Sequence, residues 1–157
     1  MMDDRHYMQK ALLLAETAAA NGEVPVGALL VLPDGREFTG HNAPITLHDP
    51  SAHAEMRAMR AACAAVGNYR LNDATLYVTL EPCTMCAGAI VHARIGRVVY
   101  GADDPKTGAV TSLYQILADH RLNHQPTVTS GVMADECSAL LKNFFRRRRQ
   151  NRGTVAN

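Results

Sequence analysis

Tryptophan is absent from this chain of 157 residues, and aromatic residues make up only 5% of it against 47% apolar residues in all. A core with so few large rings has to be filled by Ala, Leu, Val, Ile and Met, which favours helices lying close against a sheet. No stretch approaches the roughly 18 to 20 apolar residues that a membrane-spanning helix needs. The opening residues, Met1 to Lys10, carry acids and no apolar leader core. A soluble, cytoplasmic protein with no membrane partner is expected. Cysteine is scarce as well, and four of them without a secretion signal are a poor basis for a disulfide framework. Metal binding or simple burial accounts for them better. Length excludes a second large core, so residues 1–157 are read as one domain.

Charge of one sign is missing from one end. Residues 142–157 hold Lys142, Arg146, Arg147, Arg148, Arg149 and Arg152 and no acid, so this end is +6 while the whole chain is +1 and the remainder −5. Such asymmetry points to an anionic partner at that end and not to a generally basic surface. A solvated helix end is the plainer alternative.

Several elements can be read from periodicity. Met8, Ala11, Leu12, Ala15, Ala18 and Ala19 share one helical face, and Asn21-Gly22 supplies a stop. Val24 to Leu32 and Arg36 to His41 read as strands about the turn Pro33-Asp34-Gly35. Asp49-Pro50-Ser51 is placed to cap a second helix with Met56, Met59, Cys63 and Val66 on its apolar stripe and Gly67 at its end. Thr75 to Leu80 is β-rich, Pro82 is expected to begin a third helix, and Arg97 to Tyr100 returns as a strand. The alternation implies βαβ units with parallel pairing. A weaker helix is expected over Ser112 to Ala118 and a short strand over Thr127 to Val132. Cys137, Leu140, Leu141 and Phe144 then mark a closing helix that runs into the arginines, with a basic tail from about residue 142.

Two short motifs decide the chemistry. His53-Ala54-Glu55 and Pro82-Cys83-Thr84-Met85-Cys86 together offer one imidazole and two thiols. Three protein ligands of these types leave one corner of a zinc tetrahedron for water, which is the catalytic arrangement and not the closed structural one. Cys83 and Cys86 are three apart at a helix start, where both sulfurs can face one point and the helix dipole favours their negative charge. Residues two apart do not share a face within a helix, so His53 is placed in the first helical turn for Glu55 to approach from another side. Glu55 is then the proton carrier. His-x-Glu followed by Pro-Cys-x-x-Cys is the general signature of zinc deaminases acting on nucleobases. Cys63 and Cys137 lie on apolar stripes and are expected in the core. His6, His48, His92, His120 and His124 have no cysteine at ligand spacing and are read as surface or packing residues.

The chain resembles the bacterial tRNA-specific adenosine deaminases well beyond the metal motifs. The likeness runs through Val24-Pro25-Val26-Gly27-Ala28, His41-Asn42, His48-Asp49-Pro50, the stretch from Tyr77 to Cys83, Met85 to Ile90 and Lys106-Thr107-Gly108-Ala109, covering about Tyr7 to Gln150. The resemblance implies a three-layer α/β/α sandwich of the cytidine deaminase type, with a mixed, mostly parallel sheet of about five strands. It also implies a homodimer, one Zn2+ per subunit, and conversion of the wobble adenosine of a tRNA anticodon stem-loop to inosine. Carried over by position, Asn42 resembles the base-contacting residue, and Asp104 with Lys106 the substrate loop near the ribose. Phe145, Arg148 and Arg149 are expected to help hold the anticodon arm. Two other functions stay open at this point. One is a deaminase of free nucleosides or nucleobases, and the other is an RNA-binding module that keeps zinc only for folding.

Overall fold

Asp3 caps the first helix, α1 (Asp4–Ala20), by accepting a hydrogen bond from the His6 amide at 2.9 Å. Met8, Ala11, Ala15 and Ala18 are buried along one face, as their spacing predicts. Gly22 takes a φ of +79°, and the amides of Gly22 and Glu23 turn back to the carbonyls of Ala19 and Ala18 at 3.0 and 2.9 Å. This is a Schellman ending, and it delivers Glu23 to a fixed place just past the helix. The computed structural model describes residues 3–155 and side chains as far as residue 151, so the side chain of Arg152 lies outside the described residues.

β1 (Gly27–Val31) and β2 (Glu37–His41) form the expected hairpin. β1 begins later than the apolar run from Val24 because Pro25 has no amide to donate and the Val26 amide folds back onto the Val24 carbonyl at 2.8 Å. β3 (Thr75–Leu80) and β4 (Arg97–Ala102) are parallel, and β5 (Thr127–Thr129) runs parallel to β4. The five strands lie in the order β2-β1-β3-β4-β5. The sheet is mixed, with two antiparallel pairings about β1 and two parallel ones about β4, so β2, β3, β4 and β5 run one way and β1 runs against them.

Successive strand residues point to opposite faces. Leu30, Leu76, Val78, Val98 and Tyr100 therefore join one buried cluster with α3 (Ala54–Val66) and α4 (Thr84–Ala93). Leu29, Tyr77 and Val99 join another with Met8 and Ala11 of α1 and Cys137 of α5 (Ala134–Val155). The result is the three-layer α/β/α sandwich. Small residues set how near the layers come. A Cβ on Gly40 would collide with the Ala54 carbonyl and lie 2.8 Å from the Ala58 amide, and one on Gly27 would collide with the Ala11 carbonyl. Alanine at position 40 would push α3 outward at a cost of about 1–3 kcal/mol, and α3 is the helix that carries Glu55.

The helix starts differ from expectation in ways that matter for the site. Asp49-Pro50-Ser51 lies between a one-turn helix, α2 (Pro44–Leu47), and α3; the Asp49 amide returns to the Pro44 carbonyl at 3.0 Å to close α2, and the segment does not cap α3. α3 opens at Ala54 with His53 in the cap position, not in the first turn. Likewise α4 opens at Thr84 with Cys83 as its cap, and Pro82 stands outside it. The helix expected over Ser112 to Ala118 shrinks to a 3-10 turn at Ile116–Ala118. The cause is tertiary: the amides of Thr111 and Ser112 donate to Glu81, and those of Leu113 and Tyr114 to the Gly108 carbonyl, so no helical ladder can form there.

Candidate active site

Two helix caps, His53 and Cys83, supply two of the three candidate ligand side chains, and Cys86 in the first turn of α4 supplies the third. His53 has an extended backbone (φ −74°, ψ 153°) and makes no capping bond of its own, and the same holds for Cys83 (φ −79°, ψ 179°) at the start of α4. Both side chains are thereby released from their helices and turn toward each other. The α3 amide that needs a partner, Ala54 N–H, donates instead to Asn42 Oδ1 at 3.0 Å. Because His53 lies outside the helix, the rule that residues two apart cannot share a helical face does not restrict His53 and Glu55. The difficulty posed by their spacing disappears.

His53 Nδ1 lies 3.5 Å from Cys83 Sγ and 3.6 Å from Cys86 Sγ, and the three ligand atoms are all within 4.8 Å of one another. Bonds of about 2.0–2.3 Å in a tetrahedron place neighbouring ligands roughly 3.5 Å apart, so the group could hold one zinc ion with little rearrangement. The thiol chemistry agrees. The hydrogen bond from Cys86 pulls Cys83 down to about 4 against the effect of burial, while the same contact and burial hold Cys86 up. The pair gives up its first proton readily and keeps the second until a cation replaces it. The hydrogen bond with Cys83 also raises the His53 imidazole.

Glu55 is 3% exposed. Burial is the main force that pushes its carboxyl up to about 7, and the nearby Cys83 charge adds to it. A group in that range can take or give a proton at neutral pH. A cavity of about 250 Å³ opens in front of it, lined by Val24, Val26, Asn42, Pro44, His53, Glu55, Leu80, Glu81, Cys83, Asp104 and Thr107. Since an amide N–H can meet only the oxygen of Asn42, the other end of that side chain, Nδ2, remains as a donor on the cavity wall.

The structure thus brings Asn42, His53, Glu55, Cys83 and Asp104 to one cavity, with Cys86 buried beside it. Lys106 is exposed and absent from the lining. Its amide donates to Asp104 Oδ1 at 3.1 Å, and Thr107 Oγ1 donates to Asp104 Oδ2 at 2.6 Å, so the Asp104 carboxylate is occupied in closing its own turn. Phe145 and Arg149 are exposed on α5, whereas Arg148 sits 5.7 Å over the Phe144 ring in a separate groove against Glu16 and Ala19 of α1.

Sequence reasoning assigned no role to Glu81. It is 2% exposed and accepts from the amides of Asp104, Val110, Thr111 and Ser112 and from the Ser112 hydroxyl. Burial alone would raise it, but these donors, led by Ser112, take it down to about 2. A Cβ on Gly108 would collide with this carboxylate, so the loop closes over it only with glycine there. An acid at the end of an apolar strand, directly before Pro-Cys, was the available signal.

Residues 1–102 match the family model described as the cytidine and deoxycytidylate deaminase zinc-binding region. The chain is 52% identical over 151 residues to a tRNA-specific adenosine deaminase of Haemophilus influenzae, covering 95% of this chain and 87% of that one. It is 47% identical over 152 residues to one of Bacillus subtilis, covering 97% and 94%. A solved structure from a study of A-to-I editing by tRNA:A34 deaminases at the wobble position matches with a TM-score of 0.83 and 49% identity, over 87% of this chain and 99% of that one. A guanine deaminase from Nitrosomonas europaea matches with a TM-score of 0.79 at 22% identity, over 92% and 85%, a likeness of fold alone.

Proposed function

The chain belongs to the tRNA-specific adenosine deaminases, within the zinc-binding cytidine and deoxycytidylate deaminase family, and from that membership we propose that it converts the wobble adenosine of a tRNA anticodon loop to inosine. The observation that carries the reading is the convergence of His53 Nδ1, Cys83 Sγ and Cys86 Sγ beside the buried carboxyl of Glu55, on the wall of one cavity. Zn2+ is the cofactor, and His53, Cys83 and Cys86 would hold it.

The net reaction adds water across the N1–C6 bond of adenine and then breaks the bond from C6 to its amino group, releasing ammonia. Zinc, when bound, supplies a Lewis acid that makes hydroxide available near neutral pH. Glu55 would take one proton from water and deliver it to the ring nitrogen next to C6, then carry the second proton from the oxygen now on C6 to the amino group, which leaves as ammonia. Its raised carboxyl suits both halves of that shuttle. Asn42 Nδ2 donates to the base from the cavity wall. About 250 Å³ is at the small end of ligand sites, fitting one heterocyclic base turned out of its loop and not a stacked pair. Thr107 and the Asp104 turn form the side toward the sugar.

The remainder of the RNA needs a second surface. Phe145, Arg148 and Arg149 are read as part of it, on a helix that carries exposed Arg146 and Arg147 as well. Changing Arg146, Arg147 and Arg149 to Gln should lower the slope of log affinity against log salt by about 2, at roughly 0.7 per single-strand phosphate contact. Titrating an anticodon stem-loop at several salt concentrations measures it, and an unchanged slope removes these arginines from the interface. The chain is read as one domain acting as a cytoplasmic homodimer. Leu113 and Tyr114, 50% and 55% exposed, support a partner surface near the cavity loop. Among the described residues no helix is long and apolar enough to cross a membrane.

Purified holoenzyme should release ammonia from an anticodon stem-loop carrying adenosine at the wobble position, with inosine read by sequencing, and not from free nucleosides. Activity on nucleosides alone would favour the free-nucleoside alternative.

A further inference from the structure

α2 has no buried residue and only four members, Pro44–Leu47. A single turn is not stable on its own, and here no apolar face holds it. Its cap residue, Ala43, offers no side-chain oxygen, and Pro44 has no amide. The two amides left over both go to one distant carboxylate. Glu23 Oε1 accepts from Ile45 N at 3.3 Å, and Glu23 Oε2 accepts from Thr46 N and Thr46 Oγ1, each at 2.7 Å. Glu23 is itself 2% exposed. Its backbone place is set by the Schellman ending of α1, whose Glu23 amide returns to Ala18 O.

The neighbouring donors are all occupied. Asn42 N reaches Val26 O at 3.0 Å, Ala43 N reaches Ala52 O at 3.0 Å, and Leu47 N reaches Ala43 O at 3.0 Å. Apart from the buried Ala43, the segment therefore hangs from its surroundings by hydrogen bonds, and among the described residues the charged partner is Glu23. Asn42 and Pro44 line the cavity, and Ile45 and Leu47 stand 58% and 51% exposed on the adjoining surface. Burial of the Glu23 carboxyl would raise it, but the donors from Thr46 and Ile45 hold it below its ordinary value, so it stays charged for this task.

We infer that Glu23 is a positioning residue: as a remote cap on α2, it holds the Asn42–Thr46 wall of the cavity that the Glu81-held loop also lines, where the target nucleotide enters. This rests on the deaminase reading for its catalytic consequence, though the tether itself can be tested without it.

In the zinc-loaded enzyme, Glu23→Gln replaces an acceptor oxygen by an amide that cannot accept, at nearly constant size. Loss of charge-assisted bonds should raise KM for the anticodon stem-loop about tenfold, with kcat held within about twofold and zinc content unchanged. Thr46→Val removes only the exposed hydroxyl contact and should raise KM by about threefold, serving where the first variant folds poorly. Hydrogen exchange at the Ile45 and Thr46 amides should quicken about tenfold in Glu23→Gln while the amides in the middle of α3 keep their rates. That readout stands whether or not the chain deaminates RNA. A wild-type enzyme inert on the stem-loop would overturn the functional reading and leave the exchange result to decide the tether. Unchanged exchange at Ile45 and Thr46, or a fall in kcat and zinc content with KM unmoved, would overturn the role of Glu23.

Discussion

Replacing Glu55 by Gln should leave the fold and the zinc content intact and lower inosine formation by at least about 10² to 10⁴-fold, the usual worth of a positioned acid-base group. The argument has three parts. The side chain is 3% exposed, so a same-sized amide fills its space without opening a cavity. Glu55 is not one of the three converging ligands, so zinc should be retained. A neutral amide, however, can neither take the proton from water nor return it to the base. Single-turnover kinetics on the stem-loop, with metal analysis of the same sample, measure the effect. An active Gln variant would remove Glu55 from the mechanism, whereas one that also loses zinc would make it a structural support for the ligands.

Removing the metal should have an effect as large on activity and a small one on folding. Treatment with a strong chelator, or Cys86→Ser, should bring turnover to background, and added Zn2+ should restore the chelated protein but not the variant. The fold should persist, because both buried clusters lie against the sheet and neither contains His53, Cys83 or Cys86. This separates the enzyme from an RNA-binding module that keeps zinc for folding, which would unfold without metal. Thermal melting by circular dichroism, with and without chelator, is the check. Cys86 is fully buried and sits in the first turn of α4, so its replacement should cost more stability than chelation does.

The chemistry was more legible in the sequence than the scaffolding around it. Residue type, spacing and the family resemblance singled out His53, Glu55, Cys83 and Cys86, and the fold does bring the three candidate ligand atoms within 4.8 Å of one another. The buried face of α1 followed from periodicity, and β1, β3 and β4 were legible as strands, though not that they are buried on both faces. What periodicity could not reveal was the exact opening of α3 and α4. His53 and Cys83 occupy caps that ordinarily go to Ser, Thr, Asp or Asn, and the capping of α3 falls to Asn42, twelve residues away from Ala54. Nor could local pattern find α2 or dissolve the helix expected at Ser112. Both outcomes are decided by distant carboxylates, Glu23 and Glu81, which attract backbone amides from other parts of the chain. Buried acids of this kind look like ordinary surface residues until their partners are seen. Phe145, Arg148 and Arg149 were chosen by charge and composition, which cannot tell one helix face from another; the fold turns Arg148 toward α1 and leaves Phe145 and Arg149 in solvent.

X-ray absorption at the zinc edge of the holoenzyme tests the central geometry most directly. The account predicts two sulfurs at about 2.3 Å and two lighter atoms at about 2.0–2.1 Å, one of them exchangeable with solvent and both sulfurs reduced to one in Cys86→Ser should any metal remain. Three or four sulfurs, or a fourth ligand from the protein that does not exchange, would describe a closed structural site and contradict it.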